Sequence, residues 1–427
     1  MRNLSVFIEL DGKQTYVGNI RGKQSDDAVF SYAPEYKNNP DNRSISINLP
    51  FEEEGFEPGR TRIFFEGLLP EGFTRRCVAD WMHVDEGDYL SILSGLGNEC
   101  LGAVKITERD AEEIQPAYQK LSVEEVKNLA KEGAVEAVQL VTKAHLSLTG
   151  ASGKAGLYYD GNADQWYLPV GDAPSTHIVK QSHVRLKGIV MNEQLCMMTA
   201  AKMGIDVPES FVINLGNAEE GDVLFATKRY DRVIGNESRR LQGLAVPYRL
   251  HQEDMAQALG ISSAHKYEHN QAGYLKKAFQ ILQYHSADPI ADQKKLWDME
   301  IFHYLIGNTD NHIKNLSLVY GKNLGGIRLA PAYDIVSTTV YESSTRNMSI
   351  GIAEKYDIDD IGRGDFEKEA ENVGLGTQMA MKRFDHFAEN FEAALRSAGD
   401  ALEEQGFEGA GRLAEKILRT GGIGRLR

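Results

Sequence analysis

The chain has few cysteines, no long apolar run and no surplus of basic residues, and each shortage excludes a class of protein. Its 427 residues include 3 cysteines, Cys77, Cys100 and Cys196, whose odd number and wide spacing fit neither a disulfide framework nor a CxxC zinc site. No apolar run reaches the roughly 20 residues that cross a bilayer, and Glu9 and Asp11 interrupt the N-terminal segment before a signal-peptide core could form. The sequence therefore predicts a cytoplasmic protein without a membrane segment.

The acidic charge limits the partners that the chain can bind directly. With 47 Lys and Arg against 62 Asp and Glu, the formal net charge is −15. Sequence-independent binding to nucleic acid or anionic lipid needs a basic face that displaces counterions, so it is excluded, while a local basic patch is not. The hydrophobic share of 42% allows each domain to bury a core, and at roughly 100–200 residues per domain the length predicts two or three domains.

Residues 1–108 have the pattern of a small α+β unit. Apolar and polar side chains alternate over residues 4–10, and the pattern resumes after Asp11-Gly12, which is typical of a tight β-hairpin. Residues 44–50 alternate again, as in a strand, and residues 61–83 show helical spacing.

The rest of the chain changes from strands to helices. Residues 109–145 are charged and predict a connector with one or two helices, and residues 146–250 contain short strand patterns around one helix. Residues 251–427 are mainly helical, with apolar side chains three and four residues apart over 291–306, 378–397 and 411–419. A strand-rich part followed by a helical lobe suits nucleotide binding between two lobes.

The polar residues that most suggest chemistry are Asp310, Asn315 and Asp334. In protein kinases an aspartate accepts the proton of the substrate hydroxyl, an asparagine five residues later binds Mg²⁺, and a second aspartate after a short hairpin bridges metal and phosphates. Strand patterns at 316–320 and 326–329 supply that hairpin here. In the plainer alternative Asp310 caps a turn, Asp334 caps a helix, and the five-residue step arises by chance.

Two features upstream fit the same chemistry without requiring it. Lys180 ends a strand pattern, as the phosphate-binding lysine of a kinase does, and Glu193 lies in the next helix, where the paired glutamate is expected. The alternative is an exposed lysine and a solvated glutamate. Segment 147–154 fails the Walker pattern, because Leu148 replaces its first glycine and Ala155 its Ser/Thr. The segment is either a loop whose backbone N–H groups bind phosphate or an ordinary hairpin.

Taken in chain order, these features resemble the HipA family of bacterial serine/threonine kinase toxins. The residues that carry the resemblance are Leu68-Leu69-Pro70-Glu71, Gly102-Ala103-Val104, segment 147–154, Thr176-His177-Ile178-Val179-Lys180, Asn192-Glu193, Arg229-Tyr230-Asp231-Arg232, Gln252-Glu253-Asp254-Met255, Lys266-Tyr267-Glu268, Thr309-Asp310-x-His312-x-Lys314-Asn315 and Tyr333-Asp334-Ile335. The resemblance implies an α+β, two-lobed protein-kinase-like fold. Its parts would be a small N-terminal α+β subdomain at 1–108, a helical connector at 109–145, the strand-rich ATP-binding part at 146–250 and a mainly helical C-terminal lobe at 251–427.

The resemblance also implies roles for individual residues. Asp310 matches the family's catalytic base, and Asn315 and Asp334 match its Mg²⁺ ligands. Ser147 aligns with the serine whose autophosphorylation shuts the family's kinases off, although a strand serine in a cross-strand hydrogen bond is the plainer alternative. The residues that match its ATP contacts are Thr149, Gly150, Ala151, Ser152, Gly153 and Lys154 in the phosphate loop, Lys180 on the strand, Lys228, Arg229 and Tyr230 at the adenine hinge, and His312, Lys314, Asn315, Tyr333 and Asp334 in the C-terminal lobe.

Two positions depart from the family pattern. Lys228 replaces an acidic residue at the hinge, so backbone contacts to adenine are expected there instead of a side-chain contact. Ser152-Gly153 replaces the more usual Gln-Glu, which adds a second hydroxyl to the phosphate loop.

The function that the resemblance implies is an ATP- and Mg²⁺-dependent protein serine/threonine kinase, the toxin of a type II toxin–antitoxin system. Such a toxin causes growth arrest and persistence by phosphorylating a translation component, such as an aminoacyl-tRNA synthetase. A helix-turn-helix antitoxin of the HipB kind takes it to operator DNA. Two alternatives stay open, a small-molecule phosphotransferase of the aminoglycoside-kinase kind and a catalytically silent co-repressor. Asn308 stands where the former usually has histidine, and intact Lys180, Asp310, Asn315 and Asp334 argue against the latter.

Overall fold

The computed structural model describes residues 2–51, 55–108, 114–132, 154–181, 186–218 and 220–426. The chain divides into two compact units. The first comprises Met1–Gln181, Ala226–Ser263 and Leu318–Ile327, and the second comprises Ser182–Phe225, Ala264–Ser317 and Arg328–Arg427. No helix in the described ranges combines the length and apolar character of a membrane-spanning segment.

The N-terminal part of the first unit contains a four-stranded antiparallel sheet. Its strands are β1 (Arg2–Leu10), β2 (Lys13–Gly22), β3 (Val29–Tyr32) and β4 (Val104–Glu108), in the order β3-β2-β1-β4. The helices between β3 and β4 are α1 (Pro34–Lys37), α2 (Pro58–Glu66), α3 (Gly72–Met82) and α4 (Tyr89–Leu96). The predicted hairpin is confirmed, because Asp11 and Gly12 both have positive φ, 49° and 72°, as a two-residue type I′ turn requires.

The prediction of a strand at residues 44–50 is wrong. The backbone there consists of turns and irregular structure. The segment is bound to one buried carboxylate, since Ser46 Oγ donates to Glu253 Oε2 (2.6 Å) and the Ile47 N–H donates to Glu253 Oε1 (3.0 Å). The alternating sequence pattern therefore belongs to a loop bound to a side chain and not to a strand.

A second sheet of the first unit contains β5 (Ala117–Lys120), β6 (Lys154–Asp160), β7 (Gln165–Val170) and β8 (His177–Gln181), in the order β5-β7-β6-β8. Helix α5 (Val123–Glu132) begins at a capping box, in which the Glu125 N–H donates to Ser122 Oγ (3.2 Å) and the Ser122 N–H to Glu125 Oε2 (2.7 Å). The segment predicted to be a helical connector thus also contains a strand. This strand, β5, has four residues with one buried aromatic, Tyr118, and is too short to show the alternating hydrophobic pattern of a strand.

The middle of the chain passes from the second unit back to the first. Helix α6 (Ile189–Lys202) and strand β9 (Ser210–Asn214) lie in the second unit, and β10 (Val223–Lys228) runs from the second into the first. The elements that follow in the first unit are short: β11 (Arg232–Val233), β12 (Arg240–Leu241), β13 (Leu244–Ala245), β14 (Tyr248–Arg249), β15 (Gln252–Asp254) and α7 (Met255–Leu259). The predicted helix among short strands is confirmed.

The C-terminal part is mainly helical, as predicted. The helices are α8 (Tyr274–His285), α9 (Pro289–Ile306), α10 (Arg363–Asn372), α11 (Thr377–Glu404) and α12 (Ala410–Thr420). The strands are β16 (Ser317–Tyr320), β17 (Ile327–Leu329), β18 (Asn347–Ile352) and β19 (Lys355–Asp357). The predicted apolar face of α11 is buried, with Phe384, Phe387, Phe391 and Leu395 at most 1% exposed. Strands β16 and β17 form the hairpin that the sequence predicts between Asn315 and Asp334.

Candidate active site

Gly307 caps the C-terminus of helix α9, and its left-handed backbone (φ 74°) leads into residues 308–315, here called the catalytic loop. The Gly307 carbonyl accepts the N–H groups of Thr338 (2.9 Å) and Thr339 (3.1 Å). A Cβ atom at this position would lie 2.1 Å from Thr339 Oγ1, so both the conformation and the close approach require glycine. The start of the catalytic loop is therefore fixed to residues 338–339.

Asp310 is the exposed residue of this loop, whereas residues 308, 309 and 311–315 are buried. The Asp310 N–H donates to Asn308 Oδ1 (3.1 Å), and Asn315 Nδ2 donates to the Asp310 carbonyl (3.0 Å). The two residues predicted to act together, Asp310 and Asn315, are thus in direct contact. A fixed backbone beneath an exposed carboxylate is the arrangement that a catalytic base needs.

Thr309 attaches the catalytic loop to residues 338–349, a segment that ends in β18. Its N–H donates to Thr338 Oγ1 (2.8 Å), and its hydroxyl donates to the Thr345 carbonyl (3.0 Å). Ser349 Oγ donates in turn to the Thr309 carbonyl (2.7 Å). Every polar group of Thr309 is therefore hydrogen-bonded, which restricts movement of the neighbouring Asp310.

Asp334 has a left-handed backbone, with φ 57°, which is uncommon outside glycine and occurs where the surroundings fix the residue. The alternative that Asp334 caps a helix is wrong, because irregular backbone follows it as far as the 3₁₀ turn Thr338–Val340. The Tyr333 hydroxyl lies 2.6 Å from Ser317 Oγ and donates to the Lys314 carbonyl (3.0 Å). Tyr333 therefore links the Asp334 segment to the end of the catalytic loop.

Asn192 on α6 fixes the segment that follows Asp334. The motif Asn192-Glu193 contained this residue, but the sequence did not reveal its role. It is fully buried, its Nδ2 donates to the Ser337 carbonyl (3.0 Å), and its Oδ1 accepts the Ser337 N–H (3.0 Å). Asn192 thus attaches the segment after Asp334 to α6 through one donated and one accepted hydrogen bond. The next residue, Glu193, is 4% exposed, so the alternative of a solvated glutamate is wrong.

The residues predicted to bind Mg²⁺ suit that ion. Mg²⁺ prefers oxygen ligands and is usually bound by one or two carboxylates together with substrate phosphates. Asp334 supplies a carboxylate, and because Asn315 Nδ2 faces the Asp310 carbonyl, the Asn315 amide oxygen points elsewhere and can serve as a ligand. The donor set therefore fits a nucleotide-bound Mg²⁺.

In the first unit, Lys180 is the next-to-last residue of β8 and lies directly opposite Lys154, the first residue of β6. Opposite residues of an antiparallel pair project to the same face, with Cβ atoms roughly 5 Å apart. Lys180 is 9% exposed, so the alternative of an exposed lysine is wrong. The two lysine side chains therefore project from one face of the sheet, an arrangement suited to a polyphosphate. The remaining residues of the phosphate-loop prediction, Ser147 and Thr149 to Gly153, lie outside the described residues.

The predicted adenine hinge begins at Lys228, the last residue of β10, and its three residues have different environments. Lys228 is exposed, and the Tyr230 hydroxyl donates to Gln252 Oε1. The Arg229 N–H donates to the Thr176 carbonyl (2.9 Å), and its side chain is 3% exposed. A contact from Arg229 to adenine would therefore use its carbonyl oxygen.

The Arg229 side chain belongs to a buried ion cluster of Glu99, Arg229, Asp231 and Arg232. Arg229 Nε donates to Asp231 Oδ1 (2.9 Å), and Arg229 Nη1 donates to Glu99 Oε1 (3.2 Å). Arg232 Nη2 donates to Glu99 Oε2 (2.8 Å). Although burial by itself would raise the pKa of Glu99 and Asp231, the two guanidinium groups lower it below the ordinary value. The cluster is therefore ionised and electrically balanced, and it attaches the hinge to the N-terminal part of the chain.

A buried acid, Glu300 on α9, lies behind the catalytic loop. It is 1% exposed, its Oε1 accepts Asn311 Nδ2 (3.1 Å), and its Oε2 has no hydrogen-bond partner among the described residues. Burial raises the pKa of this carboxyl to about 8, with smaller contributions from the nearby carboxylates of Glu369 and Glu268. Glu300 is therefore mainly protonated at neutral pH.

The raised pKa predicts that Glu300→Gln stabilises the chain above pH 5. The folded state binds this proton more tightly than the unfolded state, where the pKa is near 4.5, so the stability that the proton contributes is lost as pH rises from there to about 8. Glutamine keeps the acceptor for Asn311 and does not titrate. We expect urea unfolding to show a gain of about 4 kcal/mol at pH 8 and little gain at pH 4.5. An equal gain at both pH values would contradict this assignment, and exposed Glu389→Gln is the control.

Comparison with known proteins identifies the family. Models of the HipA N-terminal domain and the HipA-like C-terminal domain match residues 9–107 and 146–395. Y4mE of Sinorhizobium fredii is 30% identical over 391 residues, which cover 89% of this chain and 88% of that protein. The serine/threonine-protein kinase toxin HipA of Shewanella oneidensis is 24% identical over 362 residues, which cover 82% of this chain and 80% of that protein.

A solved structure agrees on the fold. HipA of Shewanella oneidensis MR-1, in its complex with HipB and operator DNA, matches with a TM-score of 0.78 at 21% identity. The match covers 99% of this chain and 97% of that one. The α+β, kinase-like fold predicted from the sequence is thereby confirmed, and the chain belongs to the HipA family.

Proposed function

We propose that this chain is an ATP- and Mg²⁺-dependent protein serine/threonine kinase and the toxin of a type II toxin–antitoxin pair. The observation that carries the proposal is the arrangement in the second unit, where Asp310 is exposed on a fixed loop, Asn315 contacts it, and Asp334 is fixed through its neighbours Tyr333 and Ser337. These are the residue types that phosphoryl transfer requires.

In the proposed reaction, the hydroxyl oxygen of a serine or threonine forms a bond to the γ-phosphorus of ATP. The bond from that phosphorus to the β–γ bridging oxygen breaks, ADP leaves, and the hydroxyl proton passes to the Asp310 carboxylate. Lys154 and Lys180 would bind phosphate oxygens, and His312 and Lys314 would contact the nucleotide from the catalytic loop. Asn315 and Asp334 would bind Mg²⁺, which neutralises phosphate charge when present.

Autophosphorylation of Ser147 is part of the proposal as the means of self-inactivation. The described chain resumes at Lys154, seven residues after Ser147 and opposite Lys180. A phosphate there would add about −1.5 to −2 charge and three strong acceptors beside the loop intended for ATP. It would compete with the nucleotide's own phosphates for the same donors.

The proposed partners are a helix-turn-helix antitoxin of the HipB kind and, through it, operator DNA. A relative of the same fold is known in a complex with HipB and operator DNA. The net charge of −15 suits a basic DNA-binding protein and opposes broad direct contact with DNA. We place the pair in the cytoplasm, with an aminoacyl-tRNA synthetase as the protein substrate.

Induced expression followed by phosphoproteomics tests this function. The inactive variant is Asp334→Asn, because asparagine tolerates the left-handed backbone at this position (φ 57°) and loses the charge that Mg²⁺ needs. We expect wild type to arrest growth and to raise phosphoserine or phosphothreonine on a translation protein, and Asp334→Asn to do neither. The matched control is Asp400→Asn, an exposed aspartate on α11. Identical phosphorylation and arrest in Asp334→Asn would contradict the proposal.

A further inference from the structure

The Tyr267 hydroxyl donates a hydrogen bond to Asp310 Oδ1, at 2.9 Å. Tyr267 lies in the motif Lys266-Tyr267-Glu268, to which the sequence assigned no role, and it is separated from Asp310 by 43 residues. Both side chains are exposed, with Tyr267 at 40%. The contact therefore lies at the surface that a substrate hydroxyl would approach.

The backbone on either side of Tyr267 is attached to other elements. The Lys266 carbonyl accepts the Ile313 N–H of the catalytic loop (3.3 Å), and the Glu268 N–H donates to the Ser349 carbonyl on β18 (2.8 Å). The tyrosine thus lies between two attachment points, one on the loop that carries Asp310.

The Glu268 side chain adds a third attachment. Glu268 is 6% exposed, and its carboxylate accepts the N–H groups of Gly273 and Tyr274 at the start of α8 and of Gly351 on β18 (2.8 Å). A buried carboxylate with three N–H donors is a strong anchor. The segment is therefore fixed independently of the Tyr267–Asp310 hydrogen bond.

The Tyr267 ring is restricted by its contacts as well. It meets the His312 ring edge-on, with centroids 5.3 Å apart and planes at 82°, an arrangement favoured by aromatic pairs. Lys266 Nζ lies 5.4 Å from the Tyr267 ring centroid, within the range of a cation–π contact. These contacts keep the phenol oxygen at the Asp310 carboxylate.

We infer that Tyr267 is a positioning residue for the reaction, one that sets the orientation of the Asp310 carboxylate; this inference rests on the proposed function. The terminal torsion of an aspartate is broad, and an exposed carboxylate such as that of Asp310 would rotate unless a donor selected one orientation. The Tyr267 O–H donates to Oδ1 and so holds the carboxylate in one orientation toward the substrate hydroxyl. Small errors in the placement of a reacting group reduce rates strongly.

Steady-state kinetics of Tyr267→Phe test the inference, because phenylalanine keeps the ring and removes only the donor. We expect kcat for phosphate transfer to a protein substrate to fall roughly tenfold, the effect of losing one hydrogen bond to a charged group. KM for ATP should change less than twofold and the thermal midpoint should stay within the error of measurement. The control is Tyr284→Phe, the same change at a side chain that is 74% exposed, which should match wild type.

The outcomes separate this inference from the proposed function. A wild-type kcat in Tyr267→Phe, with wild type active, would overturn the inference alone, and so would an unchanged kcat with a raised KM for ATP. A loss of kcat that accompanies a lower thermal midpoint would indicate a structural role and would also overturn it. If wild type itself transferred no phosphate, the proposed function would fail and the inference with it.

Discussion

Replacing Asp310 by asparagine is expected to lower the rate of phosphate transfer to protein by on the order of 10³-fold, the contribution typical of a positioned general base. Asparagine is nearly the same size but cannot accept the hydroxyl proton. Because Asp310 is exposed, exchanging its carboxylate for an amide of similar size does not disturb the packing of the core. We therefore expect the unfolding midpoint in urea to stay close to that of wild type.

The rate of phosphate incorporation from labelled ATP measures this effect. Asp400→Asn, the exposed control, should retain the wild-type rate. An Asp310→Asn protein that keeps more than a tenth of the wild-type rate would show that another group accepts the proton, and the assignment of Asp310 would then be wrong.

Replacing Glu99 by alanine is expected to destabilise the chain by about 3–5 kcal/mol, the usual effect of breaking a buried ion pair from one side. Glu99 is 0% exposed and accepts hydrogen bonds from both Arg229 and Arg232. Its removal leaves two buried guanidinium groups to share Asp231. Since Arg229 lies in the predicted adenine hinge, we also expect a higher KM for ATP.

Urea unfolding of Glu99→Ala is compared with that of a variant in a surface ion pair, which separates the effect of the buried cluster from a general loss of charge. Glu415 pairs with Arg396 on the surface, where the two side chains are 47% and 46% exposed. Glu415→Ala should cost less than about 1 kcal/mol. If the Glu99 and Glu415 variants lost equal stability, the buried ion cluster would not contribute as described.

Features encoded by short stretches of sequence were predictable. Asp11-Gly12 determines its own turn, since both residues need positive φ, and Ser122 and Glu125 cap a helix through mutual hydrogen bonds. The five-residue step from Asp310 to Asn315 becomes a direct contact because both residues lie on one tight loop. In each case the partners are at most five residues apart.

Features that depend on distant partners were not predictable from one sequence. Ser46 and Glu253 are 207 residues apart, so their hydrogen bond could not be foreseen, and the alternating pattern of residues 44–50 was wrongly interpreted as a strand. Arg229 was predicted to contact ATP at the adenine hinge, but the binding of its side chain to Glu99, 130 residues away, could not be foreseen. Tyr267 is the same case at the active site, because nothing in its local sequence points to Asp310.

The central claim is that this chain transfers phosphate from ATP to a protein hydroxyl. Mass spectrometry of the purified chain, after incubation with ATP and Mg²⁺, tests that claim most directly. The account predicts phosphate on Ser147 in wild type and none in Asp310→Asn. An unmodified wild-type chain that also leaves every candidate translation protein unmodified, or that transfers phosphate only to a small molecule, would contradict it.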